Sequence, residues 1–538
     1  MKSLVITFLV LVICSNISAQ SLTEEQISSL DKLITGQLSE DLAPGLGVGI
    51  VKNGSVVYQK IIGYSDLQDS IKLSSTTSRF NYASCAKQFT ALMVLDLAEK
   101  GLLDLQDDFR WYLPAYFPTI KDTITITQLI THTSGIRDIY DLWSIQGITW
   151  WQESLSNEDV LDLIKNQNSL NFQPGSAYRY SNTNYILLTE LVEAICKQPF
   201  TQYSQSFFHQ IGMAQTSFES NHEFIIDRVK PYGFWKGYTE YPWNSDIIGD
   251  GALFTTLHDQ LLWEQTLQIT QSDRLSSGTL SRSQSPILSD IAYGFGVEFE
   301  GEKTYHQGST GAYGSFFVRV PTENISIVVM TNYSNINVSS IAEDIYQIAS
   351  KGKLKERTIQ TEPTTVGEFI SKEEVVGTYK TSGTFYFKFF IEEDTLYLDR
   401  TYRDPVALTH ERGNIYHEIS DPAFKQEFKR TESGQMTVTA YYTSHDPYTL
   451  FMEESPDAFQ PDRLLGTYSN EELKLSFTLS LDDERKLTCS WNGETISSEL
   501  FTPALLLIGS RQFSIPKHIS DLLILNTSRN SNIQFRRN

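Results

Sequence analysis

Three short motifs stand in one order along the chain: Ser84-Cys85-Ala86-Lys87, Tyr180-Ser181-Asn182 and His306-Gln307-Gly308. Together they supply a hydroxyl nucleophile, groups able to take its proton, and a strand edge to hold a substrate, which is the equipment of serine acyl transfer. Each motif alone is weak evidence. Ser-x-x-Lys also occurs at Ser29/Lys32, Ser350/Lys353 and Ser514/Lys517, and Tyr-x-Asn recurs at Tyr333/Asn335. Local context and order select among them.

Ala83 to Lys100 reads as a helix opening at Ser84, with Phe89, Leu92, Met93 and Leu97 along it and Gly101 where a left-handed terminal residue is wanted. Free N–H groups and the positive end of the helix dipole at Ser84 can stabilise charge that develops during attack on a carbonyl. Lys87 lies three residues on, on the same face. Apolar residues all round this helix imply burial, which favours the neutral amine of a general base. The bland alternative is a Ser cap followed by an exposed Lys. Tyr180 and Asn182 fall on a loop, punctuated by Pro174 and Gly175, that leads into a helix over 186–196. A phenol beside a lysine can share proton traffic, and an Asn amide can bond both lysine and substrate. The competing assignment is a packed tyrosine next to a turn-forming Asn, which suits Tyr333-Ser334-Asn335 better, since that stretch follows the third motif. His306 to Gly308 sits in an antiparallel meander between 293–299 and 315–320, with a further strand over 325–330 beyond Pro321. Gly308 there marks a close approach of ligand or backbone.

With these three motifs in this order, the chain resembles the serine β-lactamase and penicillin-binding-protein superfamily, in particular its class C β-lactamase-like branch of D-aminopeptidases, D,D-carboxypeptidases and esterases. The resemblance covers about residues 25 to 350. It extends to Ile126-Thr127-Gln128-Leu129-Ile130-Thr131-His132-Thr133-Ser134-Gly135-Ile136, to Gly249-Asp250-Gly251-Ala252-Leu253-Phe254-Thr255-Thr256 and to Tyr293-Gly294-Phe295-Gly296. It implies that Ser84 is acylated, that Lys87 and Tyr180 move protons, and that Asn182, His306, Gly308 and Ser309 bind substrate. The backbone N–H groups of Ser84 and Ser309 would form the oxyanion hole, and His132 would hold a loop. Many β-lactamases and D,D-peptidases carry Lys where this chain has His306. A histidine is charged only in part near neutral pH, which favours peptidase or esterase chemistry over β-lactam hydrolysis.

Residues 1–19 read as a secretory signal, with an apolar run from Leu4 to Ile13 and Ser18-Ala19 at the cleavage site. The expected location is secreted or periplasmic. Once Cys14 leaves with the signal, Cys85, Cys196 and Cys489 remain, too few for a disulfide framework. Histidines and acids show no paired ligand spacing, so neither a metal nor another cofactor is expected. A net charge of −22 argues against nucleic acid as a partner. No stretch outside the signal reads as a transmembrane segment, and composition is silent on oligomeric state.

Ser21-Leu22-Thr23-Glu24 reads as a capping box opening a helix, and Asn53-Gly54 as a hairpin turn between two strands. These elements, the meander and a closing helix over 341–349 make residues 20–353 an α+β domain: an antiparallel sheet flanked by helices, plus a mostly helical insert carrying Tyr180. Residues 354–371 turn polar and read as a linker. Beyond it the pattern is alternating strands, and Gly377-Thr378-Tyr379 recurs as Gly466-Thr467-Tyr468. Two β modules, 372–455 and 456–538, are expected, and they resemble small lipocalin-like barrels appended to some family members. Phe385, Tyr386 and Phe387 would line a groove or fill the cores. The combined expectation is a serine hydrolase working through Ser84 as a peptidase or amidase on small or D-residue-containing peptides. The rivals are an esterase, a β-lactamase, and a non-catalytic protein that binds cell-wall fragments.

Overall fold

The computed structural model describes residues 21–38, 42–165, 167–220, 225–234, 237–354, 370–381, 386–400, 405–442, 447–453, 461–502, 504–509, 511–516 and 521–538. The expected signal at 1–19, most of the expected linker and Phe385 lie outside the described residues. The chain forms two compact units. One comprises residues up to Glu99 with Pro199–Trp243 and Gly251–Leu354; the other comprises Lys100–Gln198, Asn244–Asp250 and Lys355–Asn538.

The first unit is built on a six-stranded antiparallel sheet. Its strands are β1 (Leu46–Lys52), β2 (Ser55–Ile62), β3 (Glu298–Glu300), β4 (Lys303–Thr310), β5 (Tyr313–Val320) and β6 (Ile325–Thr331), in the order β3-β4-β5-β6-β1-β2. Asn53 and Gly54 both take positive φ, the geometry an Asn-Gly hairpin turn requires. Helix α1 (Glu24–Thr35) is capped by Thr23, whose hydroxyl accepts from the Gln26 N–H while the Gln26 side chain accepts from the Thr23 N–H. The box is thus Thr23/Gln26, two residues beyond the expected Ser21/Glu24, because Thr23 and not Ser21 directly precedes the first helical turn. Leu30 and Ile34 of α1 join Leu46, Val48 and Ile50 and the Ile341, Ala342 and Ile345 face of the closing helix in one apolar cluster. Full burial of one such aliphatic side chain contributes about 1.5–3 kcal/mol.

The second unit contains helices α3 (Ile126–Ile130), α4 (Ile139–Gln146), α5 (Asn157–Ile164) and α6 (Asn182–Cys196), and two closed eight-stranded barrels. The first barrel runs from Gly377–Lys380 to Tyr448–Met452, the second from Gly466–Asn470 to Ile533–Arg537, each with neighbouring strands paired antiparallel. The Gly-Thr-Tyr repeat opens each barrel. Tyr379 and Tyr468 are both fully buried, and each donates its hydroxyl four residues back, to Val375 O at 3.0 Å and Leu464 O at 3.1 Å. Aromatic side chains fill both interiors: Phe387, Phe389 and Phe428 in one, Phe477, Trp491, Phe513 and Phe535 in the other. Phe387 is therefore core, while Tyr386 packs on Leu505 and Leu507 of the second barrel. Among the described residues Cys85, Cys196 and Cys489 are free thiols, and no helix is long and apolar enough to cross a membrane.

Candidate active site

The turn that carries Ser84 belongs to the first unit. A single 3-10 turn, Ala83–Ala86, precedes helix α2 (Lys87–Glu99), so the α-helix begins three residues after the expected Ser84. The turn is bent tightly: Ala83 holds φ at 45°, a region costly for a residue with a Cβ, and the Asn81 side chain accepts its N–H at 2.9 Å. Tyr82 N–H donates to Leu253 O at 2.8 Å, which ties the turn to the short strand Leu253–Thr255. Lys87 is fully buried and its Nζ lies 3.0 Å from Ser84 Oγ. Residues Lys87 to Leu97 are all buried, in keeping with the apolar surround read from the sequence. Behind them the Gln88 amide oxygen accepts from Trp263 Nε1 at 3.0 Å and from Arg319 Nη2 at 2.7 Å, and Arg319 forks onto the buried Glu264 at 2.8 and 2.7 Å. The Tyr293–Gly296 segment presses on the first residues of α2. Gly296 has φ of 70°, and a Cβ there would stand 2.3 Å from Gln88 N.

The third motif lies on β4, in contact with this turn. Strand β3 pairs with β4 only across Lys303–Tyr305, so within the sheet β4 is an edge strand from His306 onward. Ser315 Oγ donates to Tyr82 O at 2.6 Å, and Cys85 Sγ to His306 O at 3.3 Å. A Cβ on Gly308 would stand 2.8 Å from Tyr82 O and 2.9 Å from Ala83 Cβ, so only glycine lets the strand approach so closely. The sequence-derived residues Ser84, Lys87, His306, Gly308 and Ser309 are thus brought into one region. His306 is 2% exposed; its Nδ1 bonds the Gln307 carbonyl at 2.8 Å and its Nε2 the Tyr293 hydroxyl at 3.0 Å. Burial, with a smaller contribution from the neighbouring Lys87, pushes its pKa down to about 3. Glu298 comes within 4.0 Å of Nε2, yet a neutral imidazole makes no ion pair with it. Burial pushes the Cys85 thiol up to about 12, leaving it an inert packing group.

The second motif belongs to the second unit. Tyr180 lies just ahead of α6, and Asn182 is the first residue of that helix, which starts four residues before the expected position. The ring of His132 lies 4.3 Å from that of Tyr180, and its Nδ1 accepts the Ser181 N–H at 3.1 Å. Asp138, fully buried at the start of α4, receives both the backbone N–H of Asn182 at 2.7 Å and its side-chain Nδ2 at 2.8 Å through one carboxylate oxygen. The guanidinium of Arg529, from the last loop of the second barrel, lies over the Tyr180 ring, 5.5 Å from its centroid.

The β-lactamase family model matches residues 30–350. The chain belongs to the β-lactamase family. Staphylococcus aureus protein flp is 30% identical over 342 residues, 60% of this chain and 66% of that protein. Bacillus subtilis penicillin-binding protein 4* is 28% identical over 309 residues, 52% of this chain and 66% of its own. The match thus spans just under two thirds of these relatives. Among solved structures, the octameric penicillin-binding protein homologue of Pyrococcus abyssi superposes with a TM-score of 0.56, covering 79% of this chain and 99% of that one at 23% identity. FmtA of Staphylococcus aureus gives 0.53 over 63% and 95%, at 17% identity. These likenesses are of fold.

Within the β-lactamase frame, sequence reasoning missed Asp138 and Arg529. Asp138 carries a signal that could have found it, since an Asp directly before an amphipathic helix is an N-cap, and its side chain does accept the Asp141 N–H. Arg529 carries none. It is one of three arginines in the C-terminal tail, with Arg536 and Arg537, and only folding brings it to Tyr180.

Proposed function

We propose that this chain is a serine hydrolase that works through an acyl-enzyme on Ser84 and acts on small peptides or amides, with D-residue-containing peptides as the leading class. The observation that carries the reading is the fully buried Lys87 amine 3.0 Å from Ser84 Oγ, at the head of a helix. In the proposed reaction Ser84 Oγ attacks the substrate carbonyl and gives up its proton to Lys87, with Tyr180 as a further proton carrier. The oxyanion is held by the N–H groups of Ser84 and Ser309, and the proton passes to the leaving amine. Water then attacks the ester and regenerates the hydroxyl. Extended substrate would lie along the edge of β4 beyond His306. The neutral state of His306 speaks for a substrate that needs no fixed cation at that position, and so against β-lactams as the preferred class. We further propose export from the cytoplasm, on the strength of residues 1–19 alone; N-terminal sequencing of the mature protein tests it.

The testing experiment is turnover of a chromogenic panel of D- and L-aminoacyl anilides, a short-chain ester and a β-lactam, beside Ser84→Ala. D-anilide turnover that falls at least about 1000-fold in the variant is expected. Ester preference would move the assignment to esterase. Equal rates in both proteins would remove it.

A further inference from the structure

Arg529 does more than fasten a barrel to a helix. The loop that carries it, between the last two strands of the second barrel, is held on the insert by many bonds. Asn530 exchanges two hydrogen bonds with the Asp138 backbone, at 2.7 and 2.9 Å. Arg529 N–H donates to Asp141 at 2.9 Å, and Ser531 N–H donates to Asn171 at 2.8 Å. Alongside, the buried Arg137 pairs with Glu472 of the barrel at 2.6 Å. The loop backbone is therefore fixed without help from the Arg529 side chain. That side chain, still 40% exposed, reaches back over the Tyr180 ring and lies 3.5 Å from Asp138, the carboxylate that orients Asn182. One guanidinium thus addresses both functional residues of the second motif.

We propose that Arg529 is a positioning residue supplied by the C-terminal barrel, which orients the Tyr180 ring and, through Asp138, the Asn182 amide, and places a cation beside the phenol. Among the described residues, groups that face Tyr180 within this unit include Arg529, the His132 ring on the segment after α3, and Asp138 behind Arg529, with Arg179 adjacent in the chain. Of these, the guanidinium is the cation in contact with the ring, and a cation near a phenol favours the phenolate. The proposal rests on reading Tyr180 as a proton carrier, so its test includes an arm that needs no activity.

That arm is a 19F NMR titration of 3-fluorotyrosine placed at position 180, in the otherwise native chain and in Arg529→Gln and Arg529→Lys. The expected result is a midpoint about half a unit to one unit higher in Arg529→Gln and near-native in Arg529→Lys. The same midpoint in all three overturns the proposal. In parallel, Arg529→Gln should lower kcat about 10-fold with KM little changed and with an unaltered thermal midpoint, and Arg529→Lys should recover part of the loss. Native kcat in the Gln variant, or a loss that follows a lowered thermal midpoint and is not rescued by Lys, also overturns it. Should the wild-type chain turn over no substrate, the hydrolase reading fails while the 19F arm still decides the role of Arg529.

Discussion

The two halves of the motif set are held in different ways. Around Ser84, the turn, the edge strand and the Tyr293–Gly296 segment meet backbone to backbone, through glycines and buried bonds of one sheet-based unit. Around Tyr180, position depends on groups far along the chain: Asp138 takes Asn182, and a barrel loop takes Asp138 and covers the ring. The first half is built into a core. The second is assembled by docking within its own unit.

The comparison breaks most sharply at Glu472. Its Oε2 is the charged partner of Arg137, whose side chain is 2% exposed and whose pKa burial depresses despite the pairing. Removing one member of a buried pair leaves an uncompensated charge and costs about 3–5 kcal/mol. Glu472→Ala should therefore speed amide exchange at residues 130–140, 180–184 and 526–533, read by mass spectrometry. Exchange at 82–97 and 304–310 should stay native, and uniform acceleration would mean the halves are not separately held.

Gly308→Ala is the reciprocal change. A Cβ meeting Ser315 Oγ at 2.4 Å and Tyr82 O at 2.8 Å must displace the turn that carries Ser84, for about 2 kcal/mol. Urea unfolding followed by tryptophan fluorescence should show that loss, with exchange around Tyr180 unaffected.

Acid sharpens the contrast through His306. Its folded pKa, about 3, lies below the unfolded value of 6.5, so on acidification the unfolded chain takes the proton first. The contribution is whole above pH 6.5 and is lost as pH falls towards 3. Between pH 7 and pH 5 it amounts to about 2 kcal/mol. His306→Asn should lose that much less stability over this interval than the wild type, and parallel pH profiles would contradict the neutral assignment.

The smallest expected effect concerns the barrels themselves. Tyr379→Phe deletes a hydroxyl-to-carbonyl bond and should cost about 1 kcal/mol, whereas Tyr468→Phe also removes the acceptor of Arg537 Nη2 at 3.0 Å and should cost more. A larger loss at Tyr468 in thermal unfolding would match that second bond, and equal losses would mean that the Arg537 contact contributes nothing.

How much of this was legible in the sequence follows the same division. Motifs read along one segment, such as Ser84 to Lys87, the Asn53-Gly54 hairpin and the meander around His306, were recognisable because neighbours in sequence set their geometry. The burial of His306 was not, since alternation along β4 puts it on the covered face only once Tyr293 and helix α2 pack there. Helix starts shifted by a few residues, as at Asn182, where Asp138 accepts the first free N–H in place of the expected loop. The barrels were visible in alternating strands and the repeat. The duty of their last loop was not, because the chemistry of Arg529 depends on a contact with Tyr180 that no local pattern encodes.

The central claim is that Ser84 is the nucleophile and Lys87 its activating base. The most direct test is the intact mass of the protein after brief exposure to an acylating substrate at neutral pH, for the wild type, Ser84→Ala and Lys87→Ala. The account predicts one acyl adduct mapping to Ser84 in the wild type, none in Ser84→Ala, and slower formation by at least about 100-fold in Lys87→Ala. An adduct on another residue, or equal labelling of all three proteins, would contradict it.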